Sequence, residues 1–392
     1  MNAPRIRSLA TRFVVLMGVV NLFADMAYEG ARGEAGAFLN HLGASATIVG
    51  IVAGGGELAG YAIRSLAGAI ADRTGRYWIE AWTGYIINML CVPALALAGS
   101  WPAAAGLMVG ERVGRGIRKP VISSVIAQAG REIGGGHAFG INELMDQIGA
   151  TAGPLIVAVA IARTGNFAAG FAVLLVPALL TLIALGPASR AGAKILPNNP
   201  SAQGPTLRDP RAFWRYAIGG ALLAAGYVDF ALISFRFQRD HVGSAASISV
   251  WYAVAMFVAA ISAPLLGRLL DKRGNATIAG AIVVTALATA LAFLGNGLTA
   301  EIGAALWGVG TVVQDSLLLA LVASVITQRR GATTFGLFDL IFGVAWFAGS
   351  ALEGALLDHS IPALVIFSIA LQAIAIPFFL TRSTSRSQAP SR

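Results

Sequence analysis

The sequence predicts an all-α membrane protein, and three observations carry that prediction. Of the 392 residues, 56% are hydrophobic and only 12% are charged, whereas a soluble globular protein carries about 25% charged residues. Apolar segments long enough to cross about 30 Å of hydrocarbon recur along the whole chain. The 47 glycines fit the same class, because small residues let membrane helices approach closely.

Twelve helical spans are predicted, in two sets of six. The first set lies near residues 12–32, 44–70, 77–98, 102–129, 136–162 and 166–186. The second set lies near residues 213–237, 246–270, 276–296, 300–327, 333–357 and 361–381. We therefore expect the following division of the chain: an amino-terminal six-helix bundle over 1–189, a linker over 190–212, a carboxy-terminal six-helix bundle over 213–381 and a disordered tail over 382–392.

Arginine and lysine are concentrated in alternate connections between these spans. One set of connections and both chain ends hold most of the cations, among them Arg7, Arg131, Arg190, Lys272 and Arg329. The other set offers little beyond Arg32, Arg163 and Arg239. By the positive-inside rule, both termini and the linker are predicted to be cytoplasmic, in a multi-pass protein of the cell membrane. The net charge of +9 then reflects topology, and nucleic acid is not an expected partner.

The two sets of six spans are predicted to be copies of one unit. Three pairs of segments align: residues 138–154 with 334–350, residues 66–76 with 265–275, and the residues around Asp25 with those around Asp229. Gly153 then stands opposite Gly349. Repeated halves that meet near the bilayer midplane are the architecture of secondary transporters.

One loop signature occurs once in each half. It consists of Gly68, Asp72, Arg73, Gly75 and Arg76 in the first half, and of Gly267, Asp271, Lys272 and Gly274 in the second. In these residues the chain resembles the major facilitator superfamily, although Tyr77 and Asn275 stand where the family often has another cation. The resemblance implies two pseudo-symmetric six-helix bundles and transport by alternating access. It also implies that the signature residues latch the bundles together on the cytoplasmic side.

A second element lies in the predicted fifth span. Gly149, Gly153 and Pro154 resemble the GxxxGP element of the superfamily's antiporters, but the family's next glycine is absent, because Leu155 follows. The resemblance implies antiport and thereby efflux of the substrate. Ordinary packing of small residues between helices is the alternative interpretation.

Charged residues inside the predicted spans are candidates for the path of substrate and protons. A cation at the bilayer centre costs about 2.5–3.5 kcal/mol even on insertion scales, so these residues must face protein or water. The fourth span places Arg112, Arg115 and Lys119 on one stripe, with Arg118 beside it. The remaining candidates are Asp25, Glu29, Glu143, Asp146, Asp229, Arg236, Asp315 and Asp339. For any one of them, an ion pair within one bundle is the alternative.

The internal repeat suggests a specific pair of charges. Alignment of residues 113–119 with 309–315 places Lys119 opposite Asp315. We expect the two to lie at similar depth on facing walls of the central cavity. They would then pair directly in one state or jointly bind a polar substrate.

For proton coupling, Asp25 is the first candidate, with Glu29, Glu143 and Asp146 as alternatives. A carboxyl in a partly dry cavity can be contested by a proton and a substrate. Such competition gives antiport without further machinery.

Other kinds of site are not expected. The single cysteine, Cys91, excludes a disulfide framework and a thiolate metal cluster. The four histidines lack metal-ligand spacing, and no serine–histidine–acid arrangement suggests an enzyme. Trp307 and Trp346, like the other tryptophans, are expected to serve packing or to anchor the protein at the membrane interface.

The sequence therefore predicts a monomeric secondary transporter that exports a small organic compound. No cofactor is expected, and the proton gradient is the expected energy source. One alternative is a symporter or uniporter for an organic anion, which the basic fourth span would suit. An alternative from another class is a membrane sensor that kept the fold and lost transport.

Overall fold

The computed structural model describes residues 3–195, 209–325 and 331–380, and the regular structure in these residues is helical. The first bundle contains six spans: Ala3–Arg32, Ala46–Thr74, Tyr77–Ala94, Trp101–Ile133, Gly135–Thr164, and a sixth formed by Phe167–Ala172 and Leu175–Gly192. A short helix that the sequence does not predict, Ala35–His41, follows the first span. Most of the predicted linker and the predicted tail lie outside the described residues.

The second bundle also contains six spans. The seventh is formed by Pro210–Gly226 and Phe230–Arg239, the eighth is Ala245–Arg273, the ninth is Ala276–Leu294, the tenth is formed by Leu298–Val312, Val313–Leu317 and Leu318–Ser324, the eleventh is Gly331–His359, and the twelfth is Ile361–Leu380. With twelve spans, the first begins and the twelfth ends at the same face of the molecule. We call this the terminal face and the other the opposite face.

Eleven of the described spans are long and apolar enough to cross a membrane. The fourth is the exception, because its charged residues lower the hydropathy of a helix that has 33 residues and a length of about 50 Å. This span packs against the first, second, third and fifth spans, so its charges have protein around them. The predicted all-α architecture of twelve spans is confirmed.

The two bundles have equivalent internal packing. Where Gly153 of the fifth span meets the first span, an added Cβ would lie 2.2 Å from the carbonyl oxygen of Met26. Where Gly349 of the eleventh span meets the seventh, the same atom would lie 2.2 Å from the carbonyl oxygen of Ala225. These are the two glycines that the internal alignment pairs. Each lets two helices of its own bundle touch backbone to backbone.

The bundles also contact each other, chiefly through the second and eleventh spans and through the fifth and eighth. Near the opposite face, an added Cβ on Gly50 would lie 2.0 Å from the carbonyl oxygen of Ser350, and one on Gly354 would lie 2.4 Å from that of Ala46. The Asp358 carboxylate accepts hydrogen bonds from the backbone N–H groups of Ala46 and Thr47, both at 2.9 Å. An acid of the second bundle therefore caps the second span, and the opposite face is closed.

Two spans depart from regular helix where the sequence predicts continuous ones. The seventh breaks after Gly226, and Asp229 caps the resumed helix by accepting a hydrogen bond from the N–H of Ala231 at 2.9 Å. Gln372 of the twelfth span donates to the carbonyl oxygen of Gly226 at 2.9 Å and so satisfies it at the break. The tenth span contains a π-helical turn, Val313–Leu317, of the kind that often marks functional sites.

Candidate transport pathway

Arg115 and Lys119 of the fourth span line two cavities in the described part of the chain. The first, which we call the interbundle cavity, has walls from both bundles that include Glu57, Tyr61, Arg64, Trp307, Asp315 and Asp339. The second, which we call the acidic cavity, is lined by Asp25, Tyr28, Arg118, Asn142, Glu143 and Asp146. The structure thus brings most of the predicted pathway residues to two adjoining spaces.

Charges toward the opposite face form a connected network of ion pairs. Glu57 binds Arg32 at 3.2 Å and Arg112 at 3.3 Å. Arg32 also approaches Glu29 at 3.7 Å, and Arg112 approaches Glu111 at 3.4 Å. Arg112 and Glu29 are predicted pathway residues, and here both belong to this paired network.

The remaining three cations of the fourth span have a different environment. Arg115 lies over the ring of Tyr28 at 4.7 Å, and Arg118 lies over the ring of Tyr85 at 4.5 Å. Lys119 is exposed to the cavities. Among the described residues, none of the three has a carboxylate oxygen within the 4.0 Å that defines an ion pair. Aromatic faces stabilise a cation without neutralising it, so this charge is available to a ligand.

The acids of the first and fifth spans share the acidic cavity with those cations. Asp25 is 7% exposed, and Asp146 has a buried carboxylate oxygen without a hydrogen-bond partner. Glu143 is exposed and accepts a hydrogen bond from the Gln147 side chain at 2.8 Å. No ion pair links these acids to Arg118, although Asp25, Asp146 and Arg118 line the same space. The cavity therefore holds both signs of charge in separate positions.

Lys119 and Asp315 face the same interbundle cavity, as the internal alignment places them. Both are exposed to that cavity and they form no ion pair in this conformation. Asp315 lies in the π-helical turn of the tenth span, which has no counterpart at Lys119. Direct pairing is absent from this state, and joint binding of a substrate remains a proposal.

The other three predicted pathway residues of the second bundle, Asp339, Asp229 and Arg236, have different environments. Asp339 binds Arg64 of the first bundle at 3.4 Å, across the interbundle cavity. Asp229 is 3% exposed and caps the resumed seventh span. Arg236 donates to the carbonyl oxygens of Ala292 and Gly295 at 2.8 and 2.9 Å, at the end of the ninth span. It lines neither cavity described above, and its hydrogen bonds give it a structural role.

Aromatic side chains complete the interbundle cavity. Trp307 donates its ring N–H to the carbonyl oxygen of Val228 at 2.8 Å, and it lines the cavity together with Tyr61 and Trp346. The sequence predicts that the tryptophans serve packing or anchoring. Trp307 and Trp346 pack in the interior and also line the cavity. Tyr28 could have been found, because it lies three residues after Asp25 on the polar stripe of the first span.

The sequence profile of the Major Facilitator Superfamily matches residues 14–350. The chain belongs to this superfamily. It is accordingly a multi-pass membrane transporter and not an enzyme, as the sequence predicts.

Three of the proteins to which this superfamily member is similar illustrate the match. The uncharacterized protein Rv2265 of Mycobacterium tuberculosis (strain ATCC 25618 / H37Rv) is 38% identical over 386 residues, which cover 96% of this chain and 94% of the relative. The uncharacterized MFS-type transporter MJ1317 of Methanocaldococcus jannaschii is 22% identical, with 88% of each chain covered. A solved bacterial homolog of the human lysosomal transporter Spinster, inward-facing and occupied, superposes with a TM-score of 0.71 at 18% identity, with 97% of each chain covered.

The superfamily's loop signature lies at the terminal face in both halves. Gly75, with a φ of +65°, ends the second span, and Gly274, with a φ of +62°, ends the eighth. These two conformations favour glycine. The described cations of the signature, Arg73, Arg76 and Lys272, are exposed, as is Asp271, and none of these four forms an ion pair with another residue that the structure describes. The side chain of Asp72 lies outside the described residues, and the latching role remains a prediction.

The antiporter-like element of the superfamily has a packing role in this chain. An added Cβ on Gly149 would lie 2.3 Å from the carbonyl oxygen of Leu22, and Gly153 is equally close to Met26. Pro154 continues the same helix. Close contact between the first and fifth spans is therefore sufficient reason for the two glycines, and antiport remains a prediction.

Proposed function

We propose that this transporter carries a small organic anion together with a proton, by alternating access. The observation that carries the proposal is the set of three cavity-facing cations, Arg115, Arg118 and Lys119, without carboxylate partners. Unpaired cations inside a membrane protein are costly. A site that retains three of them is suited to a substrate that supplies the negative charge.

The acids of the same cavity supply a coupling mechanism. When Asp25 and Asp146 are ionised, they attract the neighbouring cations and repel an anionic substrate. When they bind protons, that repulsion disappears and the cations are free for the substrate. Proton and anion therefore favour each other's binding and move in the same direction. In this scheme Asp25 keeps the proton-carrying role expected from the sequence, and the coupling is symport.

Alternating access requires that the contacts at the opposite face separate. The backbone contact of Gly50 with Ser350 and the capping of the second span by Asp358 join the two bundles there. We propose that these contacts break when the cavity opens toward that face. We also propose that the terminal face is cytoplasmic and that the protein lies in the cell membrane as a monomer. The cations of the connections at the terminal face support that orientation.

Proton-coupled export of a cationic compound is a second candidate. One wall of the interbundle cavity supports it, because Asp315 and Asp339 lie there with Trp307 and Trp346. Carboxylates and tryptophan faces together favour organic cations. For a cation, a proton would compete with the substrate at the acids, which gives exchange.

Ligand-induced thermal stabilisation of the purified protein separates the two candidates. We would test carboxylates, phosphate esters, neutral compounds and quaternary ammonium compounds of similar size. We expect stabilisation by an anionic class, stronger at pH 6 than at pH 8, and its loss in Lys119→Met and Arg115→Gln. The control variant Arg163→Gln alters an exposed cation outside both cavities and should retain it. Stabilisation by cations alone, lost in Asp315→Asn, would contradict the anion proposal.

A further inference from the structure

Glu353 of the eleventh span is a carboxyl that the pathway described above does not include. It is 0% exposed, and both of its side-chain oxygens lack hydrogen-bond partners. No described cation forms an ion pair with it. An ionised carboxylate in such a position is very costly, and a group in that position neutralises instead. Such a position favours the protonated form of the residue.

The position of Glu353 on its helix connects it to the transport path. Asp339, Phe342 and Trp346 line the interbundle cavity from the eleventh span, and Glu353 follows Trp346 by seven residues on the same helical stripe. It lies about 10 Å further toward the opposite face. Glu353 thus faces the interior of the molecule in the half that is closed.

Glu353 lies on the stretch of the eleventh span that meets the second span at the closed opposite face. The second span faces this part of the eleventh with small residues, since Gly50 meets Ser350 and Ala46 meets Gly354. The twelfth span contains no titratable residue. From the seventh span, Asp229 acts on Glu353 with a like charge, which also favours a neutral partner. Arg239 of the same span donates to the carbonyl oxygen of Leu357 at 3.2 Å, one turn beyond Glu353, and its charge is paired with Asp240 at 2.8 Å. On its own helix, Asp358 is occupied in capping the second span.

We propose that Glu353 binds a proton when the opposite face closes and releases it when that face opens to water. The role of this proton in transport rests on the proposed function. Glu353 would be a second proton site, in addition to the acids of the acidic cavity. The closed state binds one more proton than the open state, so it is favoured as pH falls and weakened as pH rises. Protons taken up at the opposite face would then be linked to closure itself.

Two measurements that need no substrate test this assignment. The first is infrared spectroscopy of the protein in lipid, in the carbonyl region of protonated carboxyl groups. Glu34 and the acids of the acidic cavity can contribute to the same region, so we expect one component of the absorption at pH 7 to disappear in Glu353→Gln and to remain in Glu34→Gln and Asp25→Asn. The second is the distance between spin labels at Leu97 and Leu298, which are exposed at the opposite face in different bundles, in a Cys91→Ala background.

In wild type we expect that spin-label distance to lengthen as pH rises. Glu353→Gln, which resembles the neutral acid, should raise the closed-to-open ratio at pH 8 by at least about 10-fold, because each unit of pKa difference between the two states is a factor of ten. Glu301→Gln, a partly exposed acid near the same face, should behave as wild type.

An unchanged absorption in Glu353→Gln, with no component lost, or a pH response equal to that of wild type in that variant, would overturn the proposal. Glu353→Leu is the second variant, and failure of both neutral variants to fold would also overturn it, because the native form is then charged. If the infrared absorption and the spin-label distance change as expected but an anion gradient drives no proton flux, the proposed function is refuted. The proton site at Glu353 is then still supported.

Discussion

Arg112 and Lys119 are seven residues apart on the fourth span, yet their surroundings differ. Arg112 shares Glu57 with Arg32 in a network of ion pairs, whereas Lys119 faces a cavity without a carboxylate in contact. A paired charge stabilises the bundle, and an unpaired one is available to a ligand. The helical stripe predicts that both face inward, and only the neighbouring helices decide which of the two roles each has.

At the paired end, Glu57→Gln should destabilise the protein without abolishing its fold. Arg32 retains Glu29 and Arg112 retains Glu111, so we expect a loss of about 1.5–3 kcal/mol, the range for hydrogen bonds to charged groups. Thermal unfolding in detergent measures it. The control Glu132→Gln removes an exposed acid and should change little. Equal stability of the two variants would show that the network contributes nothing.

In the cavity that Lys119 and Asp315 share, Lys119→Met should reduce anion transport at least about 10-fold, with protein stability little changed. Asp315→Asn should not reduce it, because Asp315 places a negative charge in the same cavity as the substrate. Joint binding of a polar substrate by both residues would instead reduce transport in both single variants, and the double variant would then lose less than the product of the two single effects. Initial rates of uptake into proteoliposomes measure this. Full activity in both single variants would exclude the pair from the pathway.

At the scale of helices, glycines have two distinct roles that look alike in the sequence. Gly153 joins two helices of one bundle, whereas Gly50 joins helices of different bundles. Because alternating access moves whole bundles, we expect an alanine at Gly153 to meet a backbone oxygen in every state of the transporter. We expect an alanine at Gly50 to meet one only when the opposite face is closed.

Gly153→Ala should therefore lower thermal stability by about 1–3 kcal/mol, the usual cost of overpacking, whereas Gly50→Ala should mainly lengthen the spin-label distance between Leu97 and Leu298. Gly280→Ala is the control, because no atom lies within 4 Å of its added Cβ. If the spin-label distance in Gly50→Ala stays as short as in wild type, the second and eleventh spans do not separate on opening.

Hydropathy and internal alignment predict the twelve spans and the equivalence of Gly153 and Gly349, because both follow from period and repetition. The break in the seventh span and the π-helical turn in the tenth are not predicted. They depend on partners distant in the sequence, such as Gln372 at the carbonyl of Gly226. The aromatic contacts of Arg115 and Arg118 are unpredictable for the same reason.

At the scale of the whole molecule, a contact between the two bundles involves a second buried acid near the opposite face. Glu34, between the first span and the helix Ala35–His41, is 0% exposed and accepts a hydrogen bond from the hydroxyl of Ser249 in the second bundle. Burial raises the pKa of the Glu34 carboxyl to about 8. Where the open face exposes this carboxyl to water, we expect the ordinary pKa of about 4.3, so the closed state should bind more protons between these values.

Closure should accordingly weaken as pH rises from about 4.3 through about 8, since the sign follows the extra proton of the closed state. Glu34→Gln should reduce this dependence, as read from the same spin-label pair. Its effect should add to that of Glu353→Gln if the two acids titrate independently. If the fraction of molecules in the closed state increases as pH rises, closure is not coupled to proton binding in this way.

Proton movement driven by an anion gradient tests proton–anion symport most directly. The protein would be reconstituted in liposomes with an internal pH dye, and an organic acid anion identified by thermal stabilisation would be added outside at equal pH. We expect the interior to acidify in wild type, and the signal to be lost in Asp25→Asn and in Lys119→Met but not in Arg163→Gln. Anion entry without acidification, or acidification reversed in sign, would contradict proton–anion symport.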